Sequence, residues 1–280
     1  MRGHVVALAA MLGVLFALPA AAQTPLERGR YLVEGVAACG NCHTPNGPAG
    51  KVAGMNLAGG LMEDNPAFRA MAANITPDRE TGIGAWTDAE ISRAVREGIG
   101  RDGRVMGPPM PFALYRGLAD ADMAAIIAYL RSLPPVRNAV ERSSYRMPLP
   151  PSYGPPVADV AAPSRTDLVA YGAYLAGPLG HCTECHTPMG PRGRDWSRLG
   201  AGGQAFEGPW GVSVARNITS SRTHGLGDWT DGEIEAAIRQ GVAKGGRRMF
   251  PPMGYAYYAR MDAADMAALI AWLRSLPAQE

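Results

Sequence analysis

Five residues in one order, Cys-x-x-Cys-His, occur twice, as Cys39-Gly40-Asn41-Cys42-His43 and as Cys182-Thr183-Glu184-Cys185-His186. The two copies use all four cysteines of the chain. Thiols at this spacing can add across the two vinyl groups of a haem to make thioethers, and the histidine that follows lies where its imidazole can bind iron. The motifs predict two covalent c-type haems, one on Cys39 and Cys42 with His43 as proximal ligand, the other on Cys182 and Cys185 with His186. A zinc tetrad or a dithiol redox pair would also use Cys-x-x-Cys. Here the histidine follows in both copies, and no further cysteine exists to complete a tetrad.

The opposite face of each iron decides whether it only passes electrons or also binds a substrate. Two pairs of methionines recur at one spacing, Met106 with Met249 and Met110 with Met253, each in a proline-rich loop. Met110 and Met253 are the predicted sixth ligands, each 67 residues beyond its motif histidine. A thioether is a weak, neutral ligand that needs a rigid loop, and the Pro-Pro-Met sequence restricts the backbone beside it. Met106 and Met249 are then expected to pack nearby, and Met123 and Met266 to fill core. Two further histidines, His181 and His224, fall where the first copy has Ala38 and Thr81. A distal histidine on the second haem is therefore the alternative to Met253.

The elements that must hold these residues are themselves repeated. An offset of 143 relates Cys39 to Cys182, Tyr31 to Tyr174, Gly60 to Gly203, Asn74 to Asn217, Trp86 to Trp229 and Met110 to Met253. A period this long marks a domain duplication, since solenoid repeats run roughly 20–50 residues. The expected division is a first domain over 23–133, a proline-rich linker over 134–163 that straps along the surface, and a second domain over 164–280. Thr24-Pro25-Leu26-Glu27 reads as a capped helix start leading towards the first motif, and Asp167 caps its counterpart. Thr87 and Thr230 open a second pair of helices, and a third carries Met123, Ile126, Ile127 and Leu130, matched by Met266, Leu269, Ile270 and Leu273. The intervening loops show no sustained alternation, so the expected fold class is all-α, two tandem domains each wrapped around one haem. Domains of this size bury a modest core by themselves, and a large apolar cofactor would supply much of the missing interior.

At the N-terminus, Met1-Arg2-Gly3-His4 precedes an apolar run over 5–18 and then Pro19-Ala20-Ala21-Ala22. This is the pattern of an export signal over 1–22, cleaved to leave Gln23 first. The run is shorter than the roughly 20 residues of a membrane span, and no later stretch reads as one, so the expected location is the periplasm. The balance of 27 Lys and Arg against 25 Asp and Glu gives a formal charge of +2. That offers no polybasic face for nucleic acid.

Cys42-His43-Thr44-Pro45 with Cys185-His186-Thr187-Pro188, Asn74-Ile75-Thr76 with Asn217-Ile218-Thr219, the run from Gly82 to Asp88, Pro109-Met110-Pro111 and the run from Ala128 to Pro134 together carry a resemblance. It is to the cytochrome c subunits of periplasm-facing bacterial dehydrogenases acting on alcohol, aldehyde, gluconate or sorbitol. It covers both repeats. The resemblance implies two cytochrome c-like domains in which Cys39, Cys42, His43 and Met110, and Cys182, Cys185, His186 and Met253, hold the haems. Subunits of that family have three haem domains, whereas this sequence shows two. The implied role is one-electron transfer and not catalysis, with a periplasmic dehydrogenase as donor and a terminal oxidase or another cytochrome as acceptor. The competing expectation is a dihaem enzyme, of peroxidase or thiosulfate-oxidising type, with one open or displaceable axial position. Asn74, Trp86, Asn217 and Trp229 are expected either to reach the haem propionates or to cap turns and pack.

Overall fold

A computed structural model of the chain describes residues 23–191, 193–208 and 210–280. The expected export signal over 1–22 lies outside the described residues. In the first repeat Thr24 caps helix α1 (Pro25–Tyr31), its hydroxyl accepting from the Glu27 amide while the Glu27 carboxylate accepts from the Thr24 amide. The helix runs on as a π-helical turn over Leu32–Val36, passes Ala38 in the left-handed region, and restarts as α2 (Cys39–His43). Two hairpins follow, β1 (Asn46–Gly47) with β2 (Gly50–Lys51), and β3 (Gly60–Asp64) with β4 (Phe68–Ala72). Then come α3 (Asp88–Glu97), the single turn α4 (Phe112–Tyr115) and α5 (Asp120–Ser132). The linker contributes β5 (Ser144–Tyr145), which pairs antiparallel with β4.

The second repeat follows the same order: α6 (Leu168–Tyr174), a π-helical turn over Leu175–Leu179, α7 (Cys182–His186), β6 (Met189–Gly190) and β7 (Gly193–Arg194), a 3₁₀ turn at Trp196–Arg198, β8 (Ala205–Gly208) and β9 (Gly211–Val214). It closes with α8 (Asp231–Gln240), α9 (Tyr255–Tyr258) and α10 (Ala263–Ser275). Capping boxes at Thr87 and Thr230 start α3 and α8, and Gly98 and Gly241 end them in the left-handed conformation.

The all-α expectation is corrected by these strands. The architecture is mixed, with four small antiparallel sheets among the described residues. Their strands are two to five residues long, and β3 and β4 are half-exposed along most of their length and interrupted by a bulge between Leu61 and Glu63. Strands this short, with no single buried face, leave no alternating pattern in the sequence.

Within each repeat the first helix crosses the last at a glycine, Gly29 of α1 against α5 and Gly172 of α6 against α10. A Cβ at Gly29 would run into the Ala125 carbonyl, and one at Gly172 into the Ala268 carbonyl. The backbones can approach because nothing stands between them. Gly29→Ala or Gly172→Ala is expected to cost about 1–3 kcal/mol from overpacking, read as a lower denaturant midpoint of the holo-protein with an unchanged slope.

The repeats share one core. Leu32, Val33 and Val36 of the first π turn and Leu175, Ala176 and Leu179 of the second are buried in the same cluster as Leu118, Ile126, Leu269 and Leu273. The contact repeats itself about a pseudo-two-fold axis. Tyr31 donates to Asp265 at 2.8 Å, and its register mate Tyr174 donates to Asp122 at 2.8 Å. Arg28 lies between them, its Nε 2.8 Å and one Nη 3.1 Å from the two Asp122 oxygens and its other Nη 3.8 Å from Asp265. Arg165 reaches Asp265 at 3.0 Å. Burial pushes the Asp265 carboxyl above the usual carboxylate range, and the Tyr31 hydroxyl works against that.

Candidate functional site

The π turns and the left-handed residues that follow them aim the motif helices. Ala38 (φ 48°) and His181 (φ 42°) each break the incoming helix one residue before the first cysteine. Non-glycine residues rarely adopt that conformation, and here the chain has to turn so that both cysteines and the histidine share one short helix. No disulfide joins the four cysteines. Each motif histidine is held the same way: His43 Nδ1 lies 2.8 Å from the Ala73 carbonyl, and His186 Nδ1 lies 2.6 Å from the Arg216 carbonyl. A backbone carbonyl can only accept, so Nδ1 carries the proton and Nε2 is left with its lone pair for a metal. Burial lowers both imidazole pKa values, with the carbonyl bonds opposing, which favours the neutral ligand form.

Burial pushes the Cys39 thiol up to about 12 and the Cys182 thiol up to about 11. Cys42 is raised by burial with Lys51 opposing, and Cys185 is pushed up to about 12 by burial first and the Glu184 carboxylate second, with Arg194 opposing. Among the described residues no group of three or more His, Cys, Asp and Glu side chains gathers as a metal site. The donor set of each motif fits a covalently held haem, which His43 and His186 would ligate through Nε2.

Met110 and Met253 are half-buried and pack against the same core as Cys39 and Cys182. Each stands in its loop directly after a cis Pro-Pro bond, Pro108-Pro109 and Pro251-Pro252. Each loop also leans on the motif helix of the other repeat. Asn41 Nδ2 donates to the Pro252 carbonyl at 3.4 Å, while Glu184, its register mate, lines a cleft of about 220 Å³ beside Pro108 and Met110. Burial pushes the Glu184 carboxyl up to about 7, with Arg194 opposing from 3.8 Å.

Two tyrosines missing from the sequence argument stand at this junction. Tyr115 is buried, and its ring meets His181 edge-on at 6.0 Å between centroids. Its register mate Tyr258 is also buried and donates to the Gly180 carbonyl at 3.3 Å. The offset of 143 carried the signal, since both tyrosines follow the candidate methionine by five residues.

Burial lowers His181 to about 4, and its place before Cys182 is at the junction of the repeats. His224 is exposed and pairs with Glu280 at 2.9 Å. Asn74 and Asn217 are spent on turns: each Oδ1 accepts from a threonine two residues on, and each Nδ2 holds a later backbone carbonyl, of Val136 and Gln279 respectively. These bonds give both side chains the turn-capping role. Trp86 and Trp229 pack against the core.

The cytochrome c family model matches residues 26–134. A diheme cytochrome c-type protein of Cereibacter sphaeroides is 31% identical over 86% of this chain and 83% of its own length. The chain belongs to the cytochrome c family. A cytochrome c domain carries its haem covalently, which is the use the geometry offers for the paired thiols. This cytochrome is also 36% identical over 90% of its length to a nicotinate dehydrogenase subunit of Pseudomonas putida, of which it covers 21%. It is 32% identical over 93% of its length to the fructose dehydrogenase cytochrome subunit of Gluconobacter japonicus, of which it covers 54%. The chain thus spans between about a fifth and about half of these two relatives. Among its described residues no helix is long and apolar enough to cross a membrane.

Proposed function

We propose that this cytochrome is a periplasmic dihaem electron carrier, with one haem on Cys39 and Cys42 between His43 and Met110 and the other on Cys182 and Cys185 between His186 and Met253. The observation that carries this reading is the twice-made bond from a motif histidine Nδ1 to a backbone carbonyl, which orients Nε2 for iron at both sites. Haem supplies a one-electron change between ferrous and ferric iron. The protein's part is to attach, orient and dry the two sites. His43 and His186 present neutral nitrogen, the Pro-Pro-Met loops restrain the thioethers, and Tyr115, Tyr258 and the π turns exclude water between the repeats.

The donor in this reading is a dehydrogenase, since relatives include a fructose dehydrogenase cytochrome subunit and a nicotinate dehydrogenase subunit. The acceptor is a terminal oxidase or another cytochrome. The test is haem quantification and ferric spectroscopy of the purified holo-protein. Two haems per chain, both low-spin and unchanged by cyanide, are expected. A high-spin or cyanide-reactive centre would turn the reading towards an enzyme, and a single haem would remove the dihaem assignment.

A further inference from the structure

The loop that carries Met110 is stiffened by its own sequence on one side only. Pro108 and Pro109 restrict the backbone next to the methionine, whereas Gly107, just before them, is the residue freest to swing. The two carbonyls that bracket Gly107 are both tied to the linker. Tyr153 donates to the Met106 carbonyl at 3.0 Å, and Tyr145 donates to the Pro108 carbonyl at 3.1 Å.

The same glycine is what admits the linker. A Cβ at Gly107 would stand 2.6 Å from the Tyr145 ring and 2.7 Å from the Leu149 side chain. Phe250 holds the matching position in the second loop, so a chain has no room to lie there in this way. The second loop is held by other donors: Asn41 reaches the Pro252 carbonyl at 3.4 Å, and Tyr255 donates to the Phe250 carbonyl at 3.2 Å.

The linker hydroxyls are fixed points because the linker is anchored on both sides of them. Before them, β5 pairs with β4, the Tyr145 ring lies 6.1 Å from that of Phe68, and Ser143 Oγ accepts from the Met71 amide at 2.9 Å. Beyond them, the Val157 amide donates to Glu97 at 3.0 Å and the Val160 carbonyl accepts from the Asp120 amide at 2.8 Å. Between the tyrosines stand Pro148, Pro150 and Pro151, which keep this stretch extended and semi-rigid. The Tyr153 ring also meets Phe112, at the start of α4, at 5.1 Å.

We propose that the linker is a working part of the first centre: Tyr145 and Tyr153 are positioning residues that pin the backbone on either side of Gly107 and so hold the Met110 thioether in place on iron. The inference rests on the reading that makes Met110 the sixth ligand. A thioether binds weakly enough that loop opening competes with ligation, and each hydroxyl bond must be broken before the loop can swing.

The experiment follows the sulfur-to-iron charge-transfer absorption of the ferric holo-protein through guanidinium concentrations below global unfolding. In a Met253→Ala background that band reports on Met110 alone. Tyr145→Phe and Tyr153→Phe, which keep the rings and remove the hydroxyls, should each raise the equilibrium constant for loss of the band by about two- to tenfold, the factor that one ordinary hydrogen bond supplies. The two together should raise it by about tenfold or more. Gly107→Ala, which displaces the linker and leaves both hydroxyls in the chain, should act in the same direction. In a Met110→Ala background, where the band reports on Met253, the paired tyrosine substitutions should change nothing. An unmoved band in the double variant or in Gly107→Ala, or an equal loss from Met253, would overturn the proposal. Absence of the band from the Met253→Ala protein with both tyrosines intact would sink Met110 ligation itself and the proposal with it, so the two failures are told apart.

Discussion

Met110→Ala is expected to convert the first centre alone from a low-spin to a high-spin, cyanide-reactive ferric spectrum, and Met253→Ala to do the same to the second. The thioether is the weaker of the two proposed axial ligands, and its place opposite histidine raises the reduction potential. Its loss should lower the potential of the affected centre by on the order of 0.1 V or more, within the roughly 0.8 V that axial ligands span. The unmutated centre serves as an internal reference in the same molecule. A redox titration resolving two centres reads both at once. If either variant keeps two low-spin centres at parental potentials, that methionine is not a ligand, and His181 becomes the next residue to replace for the second centre.

The second large effect belongs to Arg28. Its guanidinium is 14% exposed and faces Asp122, 10% exposed, and Asp265, fully buried. Arg28→Ala removes the one cation that touches both carboxylates, and stranding buried charge typically costs about 3–5 kcal/mol. Arg165 remains on Asp265, so the low end of that range is expected, measured by guanidinium unfolding of the holo-protein. Adding Asp122→Asn to the Arg28→Ala background should recover part of the loss, because the charge that had been stranded is gone. A single-variant loss below about 1 kcal/mol would mean that water reaches the carboxylates and that the pair behaves like a surface contact.

The parts of this molecule that could be read from its sequence are those written in short-range chemistry. Cys-x-x-Cys-His marks the cytochrome c family to which the chain belongs, and Thr87 and Thr230 declare helix starts through the glutamates three residues on. The hairpins were missed because β1, β2, β6 and β7 are two residues each and β9 exposes both of its valines. No burial pattern marks such strands. The network of Arg28, Asp122 and Asp265 was also out of reach, since it joins residues up to 237 positions apart and no local motif announces it. The turns held by Asn74 and Asn217 were legible as well. An asparagine two residues before a threonine is a turn signal in its own right, and the structure uses both in that way.

Tyr31 meeting Asp265 and Tyr174 meeting Asp122 are one contact made in both directions, residue i of one half to j of the other and j to i. That reciprocity is the mark of an isologous interface, the kind two identical subunits form when a rotation exchanges them. A chain whose halves meet in this way carries, within one polypeptide, the contact pattern of a two-fold dimer, and a tether between halves leaves exact symmetry free to lapse. Arg28 on one side and Tyr171 at the equivalent position on the other record that lapse, and it is what lets a fused pair give its two centres different neighbours.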